Sequence, residues 1–530
     1  MNYRDEQNGF RRGRSCEDHV FTLNSLIQNN KNLYVAFIDL KKCFDFVDRD
    51  MMLYKLLLND INGKMYNSIK NIYQSSESCV RVNGKLTNWF SCKTGVKQGD
   101  NLSPTLFSIF ANDLVHEINS LDVGVNIADE KLSVLLYEDD IALIAKTPEE
   151  LQCMLQKLHN WCRRWRVLIN TEKSKCMHFR KTRTKGTAFE FTIGTNTLEI
   201  VDSYKYLGII FTYTGNFTKN AENLAKAGGR ALGKIISTIH NNKEFGFTAY
   251  EKLFYSCVLP ILDYSSSVWG FKKFQSIDNV QNRAIRYFLG VHRFAPLLAI
   301  YGDTGWIPSQ YRRWINMIRF WNRVLLFDSE RITRKVFEMD YDICRNNWCS
   351  TLKEILQNLE LESYFDSKLL IDMNVLQTNM HYYYSNIWEN EVFKVPKLRT
   401  YVSIKSTFGR ENYVTLDMPK YFRSIMSQFR CGILPLRIET GRYYGEPAVE
   451  RICLLCSLNC VEDEIHFLLY CPLYSKLRTT LFENTGFDQM SMSDVEVLRM
   501  LITNYPRQLA KYLYSSFSLR QSIIFGKINN

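Results

Sequence analysis

The stretch L-S-V-L-L-Y-E-D-D-I-A-L-I-A, residues 132–145, constrains this chain more than any other. Two apolar runs separated by an acidic pair predict a hairpin of strand, tight turn and strand. Asp139 and Asp140 then sit together at its tip and repel each other. A third carboxylate, Asp39, ends the run Y-V-A-F-I-D, which reads as another buried strand. Three clustered carboxylates call for a cation. Hard divalent ions with oxygen ligands, Mg²⁺ above all, offset such repulsion. Two of them about 3.5–4 Å apart form a site suited to phosphoryl transfer. The plain alternative for Asp139 and Asp140 is that aspartate is a common turn residue.

The rest of the chain bears on that choice. At 530 residues it exceeds what one hydrophobic core serves and suggests three or four domains. A formal net charge of +12 suits a polyanionic partner such as nucleic acid. There is no run of about 18 apolar residues, so no membrane span or membrane partner is expected. The polar, basic N-terminus is not a secretory signal, which predicts an intracellular protein, nuclear or cytoplasmic. Its 15 cysteines are therefore expected to stay reduced, mostly as small buried hydrophobes.

Read coarsely, the pattern is α+β. A helix is expected from about Glu17 to Gln28, a strand over Leu33–Leu40, and a helix from about Arg49. Cys79–Val82 and Trp89–Thr94 read as a strand pair joined at Asn83 and Gly84. Ser103 is expected to cap a helix with Pro104 at its first position. Thr147, Pro148 and Glu150 predict another start with a capping box. Lys175–Phe179, Phe189–Ile193, Leu198–Val201 and residues 204–211 read as short strands. From Lys219 to about Phe327 the pattern is helical, with basic residues Lys226, Arg230 and Lys234. Residues 330–440 carry helical stretches and many aromatics without a motif that points to chemistry.

Six motifs occur in order: Q-N-G-F-R-R-G-R-S, F-I-D-L-K-K-C-F-D, G-V-K-Q-G-D-N-L-S-P-T-L-F, Y-E-D-D, N-T-E-K-S-K and Y-L-G. Together they resemble the reverse transcriptase region of LINE-like (non-LTR) retrotransposons, strongly from about Gln7 to Phe211 and more loosely beyond. The resemblance implies a right-hand polymerase: partial fingers and palm over 1–215, a helical thumb over 216–330, a helical linker over 331–440 and a zinc-binding module over 441–530. It implies an RNA-directed DNA polymerase that uses an RNA template, a DNA primer or target, and deoxynucleoside triphosphates. Asp39, Asp139 and Asp140 match the family's metal-binding aspartates, which hold two Mg²⁺ ions. Phe44 matches the aromatic that stacks on the incoming sugar and blocks a 2′-hydroxyl; its plain alternative is a core phenylalanine. Gln98 and Gly99 match the loop that contacts nucleotide and template. Lys173 matches a lysine near the triphosphate, or is an exposed helix-end lysine. Arg11 and Arg12 are phosphate contacts or, as terminal basic residues, simply solvated.

Near the C-terminus stands Cys453-x2-Cys456-x9-His466-x4-Cys471, a pattern of thiolate and imidazole ligands suited to one tetrahedral Zn²⁺. Cys460 is a spare thiol able to replace one ligand. A similar element follows the polymerase in the family and is thought there to bind nucleic acid. Arg442, Arg451, Lys476 and Arg478 fit that role.

The chain departs from the family in three ways. Cys43 replaces the usual small alanine, a mild change. Glu138 stands where Y-A-D-D has alanine, adding a like charge beside the pair. The chain also begins at the edge of the family's fingers segment, so an N-terminally truncated polyprotein fragment is expected. The sequence therefore supports a working reverse transcriptase, with an inactive nucleic-acid-binding remnant as the alternative. A metal-dependent nuclease draws no support beyond the carboxylates.

Overall fold

The computed structural model describes residues 4–240, 245–486 and 492–526, a mixture of helices and short antiparallel sheets. The helical expectation over 241–244 lies outside the described residues. The elements that position the site are α1 (Cys16–Asn29), β1 (Asn32–Asp39), α2 (Arg49–Leu58), α3 (Leu102–Asn119), β2 (Val134–Tyr137), β3 (Asp140–Ala145), α4 (Pro148–Arg164), β4 (Lys175–Arg180), β5 (Ser203–Tyr206) and β6 (Ile209–Thr212).

Four of the strands form one antiparallel sheet in the order β4-β1-β3-β2. Its two faces bury different sets of side chains, because successive residues of a strand point to opposite sides. Leu33, Val35 and Phe37 of β1, with Ala142 and Ile144 of β3, join one core; Ala36, Ile38, Ile141, Leu143 and Ala145 join the other. Both faces being covered, these strands read as continuous apolar runs rather than as alternation. The second core is closed by Phe107, Phe110 and Leu114 of α3 and by Leu151, Met154, Leu158 and Trp161 of α4. The first is closed by Val20, Leu23 and Leu26 of α1 and continues without a break to Leu513. The free edge of β2 takes up the N-terminal segment: Asn8 N donates to Leu136 O (3.0 Å) and Leu136 N to Glu6 O (2.9 Å), a short parallel bridge.

Further on lie α5 (Thr218–Ile239), α6 (Gln275–Leu289), α7 (Ser309–Leu325), α8 (Ile332–Ile343), α9 (Met373–Val392), α10 (Lys420–Arg430), α11 (Ser475–Thr485) and α12 (Pro506–Gly526). Buried ion pairs and hydrogen bonds tie them to one another and to α1. Asp18 of α1 accepts from Arg331 (2.6 Å) and Arg323 (2.8 Å), and Asp340 of α8 accepts from Ser25 (2.6 Å) and Asn29 (2.5 Å). Asp303 receives two bonds from Arg430 and further ones from Tyr401 and Tyr413. Such groups are tolerated in a dry interior because each is hydrogen-bonded, and Asp18 and Asp303 are also paired with arginines.

Several local expectations are corrected. The helix at Ser103 starts at Leu102 with Asn101 at the cap position; Ser103 lies inside the first turn and donates to Lys97 O (2.7 Å). Pro104 remains within that turn, where its missing N–H has no intrahelical partner to lose. Thr147 does cap α4 through Glu150 N, but the Glu150 carboxylate accepts from Lys146 N (2.9 Å), so the capping box is not closed on Thr147 itself. The turn at Asn83–Gly84 holds, with both residues at positive φ (49° and 82°). The strands around it split into the pairs Arg81–Val82/Lys85–Leu86 and Glu77–Ser78/Phe90–Ser91, and Trp89 lies outside them. Of the segments near 189–201, only Thr192–Ile193 and Asn196–Thr197 pair as strands. Residues 204–211 are two strands, β5 and β6, turned at Leu207 and Gly208 with positive φ at both (45° and 84°).

Candidate functional site

The acidic hairpin forms as its sequence implies. Tyr137 and Asp140 are the last paired residues of β2 and β3, and Glu138 and Asp139 make a two-residue turn with Glu138 at φ 57°. In the same sheet Asp39 is paired directly with Asp140. The two strand ends therefore bring Asp39, Asp139 and Asp140 together at one end of the sheet. The electrostatics reflect it: burial first, then Asp139, Asp39 and Glu138 in turn, push Asp140 up to about 6, against a small opposing pull from Lys173. Burial and Asp139 likewise raise Glu138. Carboxylates that raise one another are the kind of oxygen donors whose repulsion a hard divalent ion relieves.

Neighbours fix the orientation of Asp39. Its N–H donates to Ser174 Oγ (3.1 Å), and its Oδ2 accepts from Asn170 Nδ2 (3.0 Å) and lies 3.8 Å from Lys173 Nζ. Lys173 is exposed, so that ion pair is weak. Asn170 and Ser174 flank Lys173 in N-T-E-K-S-K and had not been singled out from the sequence. Cys43 is buried and hydrogen-bonded to Asp139; burial and the Asp139 charge push its thiol far up.

Phe44 stacks on Phe107 (centroids 5.1 Å apart, 24° between planes) and meets Phe10 edge-on at 6.1 Å. Gln98 donates to Asp45 Oδ1 (2.8 Å). Gly95 is required where it stands: at φ 82°, a Cβ there would lie 2.6 Å from Asp45 O and 2.8 Å from Phe44 O. Phe10, Phe44, Gln98, Gly99 and Pro104 line one open cleft of about 560 Å³. Arg11 donates to the carbonyls of Arg4 (2.7 Å) and Gln7 (2.8 Å), bracing its own loop, while Arg12 is exposed.

Residues 1–211 match the family described as reverse transcriptase (RNA-dependent DNA polymerase). The match covers 211 of the chain's 530 residues. The reverse transcriptase domain has relatives among the polymerases of non-LTR elements. The probable RNA-directed DNA polymerase from transposon BS of Drosophila melanogaster is 25% identical over 53% of this chain and 32% of its own length. The Pol polyprotein of the type-2 element R2DM from the same organism is 26% identical over 74% of this chain and 38% of its own length. The chain thus spans about a third of the length of these curated relatives. Among solved structures, a telomerase from Candida tropicalis with a fragment of telomeric RNA aligns over 70% of this chain and 52% of its own, at 11% identity and a TM-score of 0.31. No helix among the described residues is long and apolar enough to cross a membrane.

The second cluster lies near the C-terminus. One nitrogen of His466 and the sulfurs of Cys453, Cys456 and Cys471 all fall within 4.8 Å of one another. Tetrahedral Zn–S bonds of about 2.3 Å place sulfurs ~3.8 Å apart, so the donor set fits zinc. Local backbone builds it. Ile452 bridges Val461, and Cys453 N donates to Cys460 O (2.9 Å), closing a tight knuckle over the CxxC. Residues His466–Tyr470 form a turn of π type, and Cys471 N donates to His466 O (2.9 Å), which sets His466 beside Cys471. Cys460 does not substitute as a ligand: it is exposed and its thiol donates to Leu458 O. Most of the nearby basic residues serve the fold. Arg451 donates to Ile438 O and Glu446 O, Arg478 to the carbonyls of Leu468, Leu469 and Cys471, and Arg442 to Glu439; Lys476 is exposed.

Proposed function

We propose that this chain is an RNA-directed DNA polymerase of the non-LTR retrotransposon kind, extending a DNA primer on an RNA template. The observation that carries this reading is the pairing of Asp39 with Asp140 beside Asp139, next to a cleft walled by Phe44, Gln98 and Gly99. In this reading the four-stranded sheet is the palm, residues 1–215 are palm and partial fingers, 216–330 the thumb, 331–440 a linker region and 441–530 the zinc module. Lys226, Arg230 and Lys234 are exposed at four-residue intervals on α5, a face suited to the phosphates of a template–primer duplex.

Asp39, Asp139 and Asp140 would hold two Mg²⁺ ions, which activate the primer 3′-hydroxyl and neutralise the leaving pyrophosphate. The chain's own residues do the rest. Asn170 and Ser174 hold Asp39 in one orientation. Lys173, exposed beside Asp39, supplies a proton donor for the leaving pyrophosphate. Phe44, held by Phe107 beneath it, closes the space a 2′-hydroxyl needs. Gln98 and Gly99 form the opposite lip, and the Gly99 backbone lies open to close approach by nucleotide or template. Arg11 steadies the loop bordering the cleft and reaches phosphate from there. Cys453, Cys456, His466 and Cys471 hold one zinc ion that fixes the C-terminal knuckle, a nucleic-acid-binding element. Such a protein acts inside the cell, in the nucleus or the cytoplasm.

The test is primer extension on an RNA template with deoxynucleotides and Mg²⁺ or Mn²⁺. Extension by the native chain and none by Asp139→Ala, with RNA affinity unchanged, supports the reading. Equal extension by both removes the hairpin from the mechanism.

A further inference from the structure

We propose that Phe10 is a positioning residue for nucleotide selection, locking Phe44 and registering it against the turn that carries Asp139. The inference rests on the polymerase reading above. Phe10 has φ 58°, a conformation sparsely populated by bulky side chains, and an observed backbone outlier of that kind points to a functional demand. Its ring is 48% exposed, so burial does not hold it there. It lies edge-on to Phe44 at 6.1 Å and 78° and lines the same cleft as Gln98 and Gly99.

The backbone leading to Phe10 is tied to the acidic hairpin at each step. Glu6 and Asn8 bond to Leu136 of β2, and Gly9 N donates to the buried Gln7 Oε1 (3.0 Å). Gly9 then packs directly on the turn: a Cβ there would lie 2.5 Å from Glu138 N and 3.2 Å from Glu138 Cα. Only a glycine lets the segment approach so closely. Glu138, Gly9 and Phe10 are thus consecutive contacts running from the carboxylates to the aromatic wall. With Phe107 stacked on Phe44 and Phe10 across its edge, the Phe44 ring is confined from two directions, as a steric gate requires.

The experiment compares kcat/KM for a deoxynucleotide and its ribonucleotide in the native chain, Phe10→Ala, Phe10→Gly, Phe10→Tyr, Phe44→Val and Phe10→Ala/Phe44→Val. We expect Phe10→Ala and Phe10→Gly to lose sugar discrimination on the order of tenfold. Phe10→Tyr, which keeps the ring, retains it. Phe10→Ala adds nothing in the Phe44→Val background, because it acts through Phe44. Phe10→Gly suits the positive φ, so its folding is secure. Native extension with unchanged discrimination in both Phe10→Ala and Phe10→Gly overturns this inference alone, and additive effects in the double variant overturn the action through Phe44. No extension by the native chain overturns the polymerase reading, and this inference with it.

Discussion

Asp39 and Asp140 are direct partners across β1 and β3, two like charges held side by side by the ladder of a sheet buried on both faces. The fold tolerates this repulsion at the place where cations would relieve it. Removing one charge should therefore help the metal-free protein while destroying its chemistry.

Asp140→Asn should raise the thermal midpoint in EDTA by an amount equivalent to on the order of 1 kcal/mol, the repulsion being discounted for partial solvent screening. The same variant should lose nucleotide incorporation. A lower midpoint than the native chain would mean that the carboxylate makes a net stabilising contact in the apo protein.

Lys55 should be a stability residue. It is buried, donates to Asp113 (2.7 Å) and Phe110 O, and sits 4.0 Å from the Trp165 ring and 4.4 Å from that of Trp161. Lys55→Ala should cost about 3 kcal/mol in urea unfolding, from lost packing and lost cation–π contact. Lys55→Met, which refills the stem's volume, should cost about 1 kcal/mol, because Asp113 is partly exposed and keeps its bond from Trp161 Nε1. Equal losses in both would assign the effect to the charge rather than the volume.

Asp340 should give the fold a pH dependence. Burial pushes its carboxyl up to about 6, against two hydrogen bonds that favour the charged form. The folded state holds this proton more tightly than the unfolded chain does. The contribution is therefore full below about pH 4 and is lost as pH rises through about 6. Thermal unfolding of Asp340→Asn should match the native protein near pH 4 and exceed it by up to about 2–3 kcal/mol at pH 7. A difference that does not change with pH would show that Asp340 is charged in the folded state throughout.

Elemental analysis should find about one zinc per chain, and the Cys453→Ser/Cys456→Ser variant should have none. Chelation should raise amide exchange over residues 452–471. It should spare the flanking helices, because Glu462 pairs with Arg520 and Glu464 with Arg399 independently of any metal. Zinc retained by the double variant would place the metal elsewhere.

What the sequence disclosed follows from the range of the interactions. The acidic hairpin, β1, the Asn83–Gly84 turn and the CxxC knuckle are encoded within a few residues by apolar runs, turn chemistry and ligand spacing, and all form as read. The start of α3 was misplaced because Ser-Pro is a strong local start signal, whereas the helix begins after Asn101, which has a helical backbone and no side-chain cap bond. The turn at Leu207–Gly208 was missed because Y-L-G-I-I-F is apolar throughout; there, Gly208 makes room for the Tyr264 ring from a turn far along the chain. The partners of Asp39 lay in a quoted motif, but only the folded sheet shows that Asn170 and Ser174 reach it. Residues 330–440 stayed opaque because their defining contacts, Asp340 with Ser25 or Arg430 with Asp303, join segments far apart in the chain.

Those distant pairings set a timetable for synthesis. Asp18 and Ser25 of α1 leave the ribosome well before Arg331 and Asp340, which lie 313 and 315 residues further along. At about 5–20 residues per second, α1 waits roughly 15–60 s for these partners. Throughout that interval Asp18 has no arginine to neutralise it, although the sheet strands β1 and β3 are made well before its end and cover Val20, Leu23 and Leu26. The ion pairs that lock α1 are therefore the last of its contacts to form, after the sheet that covers its apolar side.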